Sequence, residues 1–477
     1  MLGTIEKFEL AKSDIEFIET IKNERGELLI GLYSIAGISL WELAKPTLNI
    51  HVIPGIESNN YKYNIPSTLY KYIKSKSKFF LKRKNLNQDL NNSEFLFLGF
   101  SEYIANDIFT PLSSNLSNNN YSLISDSEIS NSYNLFNSLD DEFFLKIKEL
   151  KDDFYKKNNL VKIYGWKKEF NDKSQVNFFK FLKIHFWLIG YFLNEFLPYV
   201  VISEKLILKC TNLKSIIELD IADPRSRAFV LMGEKYKIDI KTIQFGFYYR
   251  DSFEWFYLKS NEVFVWGNWF KEFFSDFYKI DKKKLICTGS PRFDRILSNP
   301  YFSIRPHFKS ILIISSYEIS SYKNITKTKS FKDYVQELIE FLIKEDFKIF
   351  IKVHPLEKNT SYLEKYYNKG LVVIPIEDFD KTISLVDFVL SHGSSLTFNA
   401  LALGKPIIYP TSKNIVWWDD IFANLNLGVG FENFHELKLI LSSFDSLKFS
   451  PLSKFEDFVE FNEFDTASKR IINYLSN

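Results

Sequence analysis

The chain alternates short runs centred on apolar residues with longer amphipathic stretches. Phe95 to Leu98, Ser215 to Leu219, Lys241 to Gln244, Val263 to Trp266 and Leu285 to Cys287 are such runs, and each stops at a glycine or a polar group. A strand covered on both faces of a sheet reads as continuous apolar sequence, so these runs predict parallel strands under helices. Amphipathic segments at 142–157, 225–236 and 268–277 supply the helices. A second series begins at Ile311: strand 311–315, helix 331–344, strand 348–353, helix 361–367, strand 372–374, helix 378–385, strand 388–390 and strand 407–409. Strands alternating with helices of this length predict an α/β chain with parallel, doubly wound sheets.

Less regular stretches carry weaker expectations. Residues 28–33 and 48–53 read as strands around a helical turn at 40–43, and 60–93 as a solvated helix with a loose connection. Residues 112–139 are rich in Asn and Ser and read as loop around one strand, 121–124. Phe178 opens a long apolar helix that Pro198 breaks before a strand, Tyr199 to Ile202. Lys180, Lys183, His185, Asn194 and Glu195 argue against a membrane span there, since a span needs about 20 mainly uncharged residues. A peripheral membrane contact stays open. Pro300 and Pro306 mark a linker. The resulting division is a first Rossmann-like domain over 1–297, a linker over 298–310, a second Rossmann-like domain over 311–457, and a C-terminal helix over 458–477 that packs back on the first domain.

Composition narrows the function classes. Of 477 residues, 25% are charged and the formal net charge is +2, so nothing global favours nucleic acid. Two cysteines, Cys210 and Cys287, lie far apart without metal spacing, which excludes a disulfide scaffold and fits a reducing, cytoplasmic compartment. The 48 Phe, 26 Tyr and 8 Trp accompany abundant Lys, Asn and Ile, the signature of codon bias in an AT-rich genome.

Candidate chemistry gathers at strand ends, because ligands of such sheets bind beyond the carboxyl ends of the strands, and between two such domains the cleft is the default active site. Ser391-His392-Gly393-Ser394-Ser395 joins an apolar strand to a helix and is followed by Gly404-Lys405-Pro406. Free N–H groups, hydroxyls and a helix dipole suit that turn to a phosphate, although Ser and Gly also build ordinary turns and caps. His354-Pro355 ends another strand, where the histidine can donate to phosphate or act as acid or base. Gln244-Phe245-Gly246 and Thr288-Gly289-Ser290-Pro291-Arg292-Phe293-Asp294 are two further turns aimed at the cleft. Ser290 and Pro291 also read as a cap and first helical residue, and Arg292 and Asp294 either serve the cleft or pair with each other. Glu218, Asp220 and Asp223 form an acidic cluster at one strand end. A carboxylate there can take the acceptor proton; Asp223 equally reads as the N-cap of the following helix, and Glu102 is a rival base. No metal-binding constellation is present in the pattern, and no cofactor is called for beyond a donor that is itself substrate.

In order and spacing these turns resemble GT-B glycosyltransferases of surface-polysaccharide assembly. The HP turn followed by the Ser-Ser turn is similar to bacterial sialyltransferases and polysialyltransferases, CDP-glycerol glycerophosphotransferases and capsule Kdo transferases. Gln244-Phe245-Gly246, Val265-Trp266-Gly267 and the Thr288 to Asp294 turn look like the QHG, vWG and tGxPrfD turns of such enzymes, with Phe245 where the histidine would stand. The likeness covers roughly 215–412. It implies a GT-B fold with two domains facing across a cleft. It implies that His354, Pro355, Ser391, Gly393, Ser394 and Ser395 hold the phosphate of a nucleotide donor, with Asn399 near the ribose. Many UDP-sugar enzymes carry Glu at the Asn399 position, so Asn favours a CMP or CDP donor. The implied reaction is metal-independent, inverting transfer of a sugar or polyol phosphate to an oligosaccharide or lipid-linked acceptor. A nucleotide-sugar 2-epimerase and a non-catalytic scaffold are the alternatives.

Overall fold

The computed structural model describes residues 4–51, 90, 92–114, 116, 120–126, 132–135, 139–170, 176–250, 252–297, 309–315, 331–354, 357, 359–376, 378–391, 393–411, 421–443, 450–462 and 465–476. Two units emerge: the first takes residues 1–265, 271–287 and 471–477, the second 266–270 and 288–470. Residues 288–297, assigned above to the first domain, group with the second. Most of the expected linker, and the helix expected within 60–93 up to residue 89, lie outside the described residues.

The first unit opens with a short hairpin, β1 (Ser34–Ile35) and β2 (Ile38–Ser39). Its main sheet uses β3 (Phe95–Leu98), β4 (Tyr121–Ser125), β5 (Ser132–Asn134), β6 (Ser215–Glu218), β7 (Asp239–Ile243), β8 (Glu262–Val265) and β9 (Leu285–Cys287). They pair in the order β5-β4-β3-β6-β7-β8-β9, and every pair is parallel. Alternation along each strand divides the apolar side chains between two cores. Leu96, Leu98, Ile216 and Ile240 pack on one face with Phe181, Leu197 and Val200 of the long apolar helix. Phe95, Phe97, Ile217 and Ile243 pack on the other with Ile471, Ile472 and Leu475. Both faces are covered, which is why the strands read as unbroken apolar runs.

Three expected strands are helical. Residues Leu29–Tyr33 form a 3₁₀ turn, and Leu40–His51 is one helix that includes residues 48–51. Tyr199 to Ile202 lie inside the helix Leu193–Lys209, and Pro198 does not end it. A π turn at Leu188–Phe192 comes just before the proline, and Asn194 Nδ2 donates to the Gly190 and Ile189 carbonyls at 3.1 and 3.4 Å. The side-chain amide thus caps carbonyls at the π turn, and the one backbone bond that Pro198 cannot donate, to the carbonyl four residues before it, leaves the helix continuous. Phe178–Lys209 is long and apolar enough to cross a membrane, yet 61% of its most apolar window is buried inside the fold.

The second unit contains β10 (Ser310–Ile314), β11 (Lys348–Lys352), β12 (Leu371–Val373), β13 (Phe388–Ser391), β14 (Ile407–Pro410) and β15 (Val429–Phe431), the last not foreseen. The order is β12-β11-β10-β13-β14-β15, again all parallel. Ile311, Ile313, Ile349, Ile351 and Leu390 share a core with Val335, Leu338, Ile339 and Leu342 of helix Phe331–Lys344. Of the final helix expected over 458–477, Ala467–Ser476 is helical, and a separate helix, Pro451–Phe458, precedes it. Both expected doubly wound sheets are therefore present.

Candidate active site

In the second sheet the connections leave β10 and β13 in opposite directions while the strands stay paired, Ile314 beside Ser391. That reversal opens a crevice at the carboxyl ends, where α/β sheets bind ligands. The loop Ser391 to Ser395 starts there. Ser391 is fully buried, and its hydroxyl lies 2.7 Å from the Thr397 hydroxyl, stapling the turn. Gly393 is exposed at φ +93°, a conformation glycine takes without steric cost. Ser394 and Ser395 are half-buried; the Ser394 hydroxyl accepts the Leu396 N–H at 3.2 Å, and the Ser395 carbonyl accepts the Phe398 N–H at 3.2 Å. The helix that follows, Thr397–Ala402, has only six residues. Its dipole is small, so the turn's N–H groups and hydroxyls must supply what anion affinity the loop has.

His354 follows β11, the neighbour of β10. It is half-buried, and burial with the nearby Lys352 ammonium lowers its pKa, so the imidazole is neutral at pH 7 and can donate one ring N–H. Pro355 and His392 lie outside the described residues.

Asn399 and Lys405 are both engaged by other groups of the second unit. Asn399 is 3% exposed, and its Nδ2 donates to Asp380 Oδ1 at 3.1 Å, while Asp380 also accepts from Arg295 at 2.6 Å. The amide nitrogen is thus committed to Asp380, while Oδ1 is buried without a hydrogen-bond partner among the described residues. Lys405 is buried and donates to the Ser384 and Val386 carbonyls at 3.0 and 2.9 Å, closing the end of helix Phe379–Leu385.

The first sheet reverses between β3 and β6, with Leu98 beside Glu218. Asp220 and Glu102 lie just past these strand ends. Glu102 is exposed at the start of a short helix. Asp223 caps the helix Pro224–Lys235, accepting the Arg225 N–H at 2.8 Å, and its carboxylate is gripped by the Arg225 guanidinium at 2.9 and 3.0 Å. Arg225 also donates to both Asp126 oxygens, at 3.0 and 2.9 Å, and Tyr199 donates to Asp126 at 2.7 Å. A carboxylate committed to a cap and a guanidinium is a poor proton acceptor, so the cap expectation fits Asp223 and the base expectation does not. Asp220 accepts one N–H, from Ala222 at 3.0 Å. Burial and the Asp223 charge push its pKa up to about 7. Glu218 is fully buried beside Arg227 and Thr242 and is likewise pushed up to about 7, chiefly by burial. Asp126 and Arg225 escaped notice in the sequence, although Asp126 directly follows β4 and the strand-end rule applies to it equally.

The remaining turns make contacts within their own units. Gln244 is buried and donates to the Gly246 carbonyl at 2.9 Å. In the second unit, the Glu460 N–H donates to the Trp266 carbonyl at 2.7 Å. A Cβ on Gly267 would stand 2.6 Å from the Phe458 carbonyl oxygen, and one on Gly289 2.4 Å from that of Glu460. Arg470 donates to the Thr288 carbonyl at 2.9 and 2.7 Å, and Asp294 accepts the Ala467 and Ser468 N–H groups at 3.0 and 2.9 Å. Both motif glycines thus make room for the C-terminal segment, and Asp294 caps its last helix. Ser290 and Arg292 are buried. Ser290 lines a pocket of about 300 Å³ between helix Pro291–Leu297 and residues 459–470. Among the described residues no three His, Cys, Asp or Glu side chains gather as metal ligands.

Residues 250–413 match the family model described as CDP-Glycerol:Poly(glycerophosphate) glycerophosphotransferase. The match spans about a third of the chain and includes His354 and the Ser391 to Ser395 loop. It bears out the expectation of a transferase that draws on a nucleotide-linked donor. No curated protein matches the chain. Among solved structures, UDP-GlcNAc 2-epimerase from Methanocaldococcus jannaschii is 14% identical, with TM-score 0.49 over 80% of this chain and 99% of that one. The S. aureus MnaA-UDP co-structure is 12% identical, with TM-score 0.49 over 80% and 96%. The wall teichoic acid polymerase TagF is 12% identical, with TM-score 0.47 over 87% and 98%.

The close approach at Gly289 is directly testable. Its φ of +75° and the Glu460 carbonyl both exclude a side chain. Gly289→Ala should lower stability by about 1–3 kcal/mol, read as an earlier urea midpoint. An unchanged midpoint would show that the C-terminal segment does not depend on this seat.

Proposed function

We propose that the chain transfers a sugar or polyol phosphate from a CMP- or CDP-linked donor to a growing cell-surface polysaccharide or glycolipid. The observation that carries this reading is the Gly393-Ser394-Ser395 turn at the reversal point of the second sheet, inside the region matched by the transferase family. Its half-buried hydroxyls and backbone N–H groups, with neutral His354 one strand beyond β10, form the donor set for the phosphate. A neutral imidazole donates without leaving a buried cation behind when the nucleotide departs. The acceptor oxygen bonds the anomeric carbon, or the phosphorus of a polyol phosphate, and the bond to the departing nucleotide breaks with its electron pair on the phosphate oxygen. The acceptor proton passes to a carboxylate, which we assign to Asp220. No cofactor is required, since the donor carries the activated group. Such an enzyme would work in the cytoplasm, at the inner face of the membrane that holds its acceptor.

Loss of one charge-stabilising donor typically costs on the order of 3 kcal/mol in the transition state. His354→Ala and Ser395→Ala should therefore each lower turnover at least tenfold with the fold intact. Product analysis should show consumption of donor only when acceptor is present. Near-wild-type turnover in purified His354→Ala, or a changed sugar released without acceptor, would sink the assignment.

A base works only when deprotonated. With Asp220 pushed up to about 7 by burial and by Asp223, activity should rise as pH passes through about 7. Positioned proton transfer contributes on the order of 10²–10⁴ in rate, so Asp220→Asn should lose at least a hundredfold and flatten that limb. A variant keeping both its rate and its pH profile would return the role to Glu102.

A further inference from the structure

The first unit carries an exposed aromatic face away from the strand ends. In helix Leu160–Gly165, Ile163 is buried while Val161 and Tyr164 are 83% and 52% exposed. In helix Phe178–Trp187, Phe178, Phe181 and Leu182 are buried while Phe179 and Phe186 are 67% and 37% exposed. The exposed sides adjoin. The Tyr164 ring lies 5.5 Å from that of Phe178, which lies 6.5 Å from that of Phe179. Single exposed apolar groups need no explanation, but a cluster from two touching elements does.

Charge identifies what covers it. Residues 156–168 hold five lysines and no Asp or Glu. Lys168 pairs with Glu24, and Lys156 stands 3.8 Å from Asp153. For Lys157, Lys162, Lys167 and Lys183 there is no carboxylate partner among the described residues. Solvent-facing rings within a field of lysines match the boundary between acyl chains and anionic headgroups. A second copy on the same patch would set lysines against lysines.

We propose that this face docks the chain on an anionic phospholipid surface, with Tyr164, Phe179 and Phe186 entering the headgroup layer and the lysines facing lipid phosphates. The long helix then lies against the membrane through its N-terminal turns, with most of its length in the protein core. The proposal goes beyond the transferase reading and stands without it, because lipid binding needs neither donor nor acceptor.

The test is co-sedimentation of the full chain with phosphatidylcholine vesicles, with and without phosphatidylglycerol. Preferential binding to the anionic vesicles, weakening with salt, is expected. Phe179→Ser with Phe186→Ser should reduce binding at least tenfold, and so should Lys162→Glu with Lys167→Glu and Lys183→Glu. These side chains are exposed, so thermal midpoints should hold. Equal binding by wild type and both variants, or no binding by wild type, would overturn the proposal. So would a wild-type dimer in solution that the phenylalanine variants split, which would assign the face to a second copy.

Discussion

Each unit depends on one parallel pairing whose two connections depart in opposite directions: β3 with β6 in the first, β10 with β13 in the second. Helices cover both faces of each sheet, so interior side chains are consumed by packing. Phe95 and Phe97 go to one core and Leu96 and Leu98 to the other. The carboxyl ends escape that demand, and the reversal keeps helices from closing over them. Polar groups can therefore stand there without disrupting a core. The same constraint places the Ser394-Ser395 turn in one unit and Asp220 in the other.

The carboxylates of the first unit show how environment separates groups of identical chemistry. Asp223 is satisfied two ways, by the helix N–H and by the Arg225 guanidinium, which it shares with Asp126. Its neighbour Asp220 lies beside that carboxylate, and burial together with the Asp223 charge raises its pKa toward neutral pH, where proton transfer is useful.

Much of the architecture could be read from the residues. Uniform apolar runs marked the parallel strands, and punctuation by glycine and serine marked their ends. Strand order was not readable, because pairing between β3 and β6 is a tertiary fact. Tyr199-Val200-Val201-Ile202 has strong strand propensity, but the helix around it buries those side chains against the sheet and tertiary context wins. In the site, the exposed turn was legible because its chemistry is local. The contacts of Asn399 with Asp380 and of Lys405 with the helix carbonyls were not readable, because those partners are distant in sequence. Gly289 was read as part of a cleft turn; the chain passing over it and over Gly267 begins almost 170 residues after Gly289.

The proposed function rests on the turn at 393–395 holding a nucleotide phosphate. Isothermal titration of CMP, CDP and UDP into the full chain, beside a Ser394→Ala, Ser395→Ala double variant, asks this without needing the acceptor. Binding of CMP or CDP to the wild type, weakened at least tenfold in the folded variant, is the predicted result. A folded wild-type chain that binds none of the three nucleotides, or a variant that binds as tightly as wild type, would contradict it.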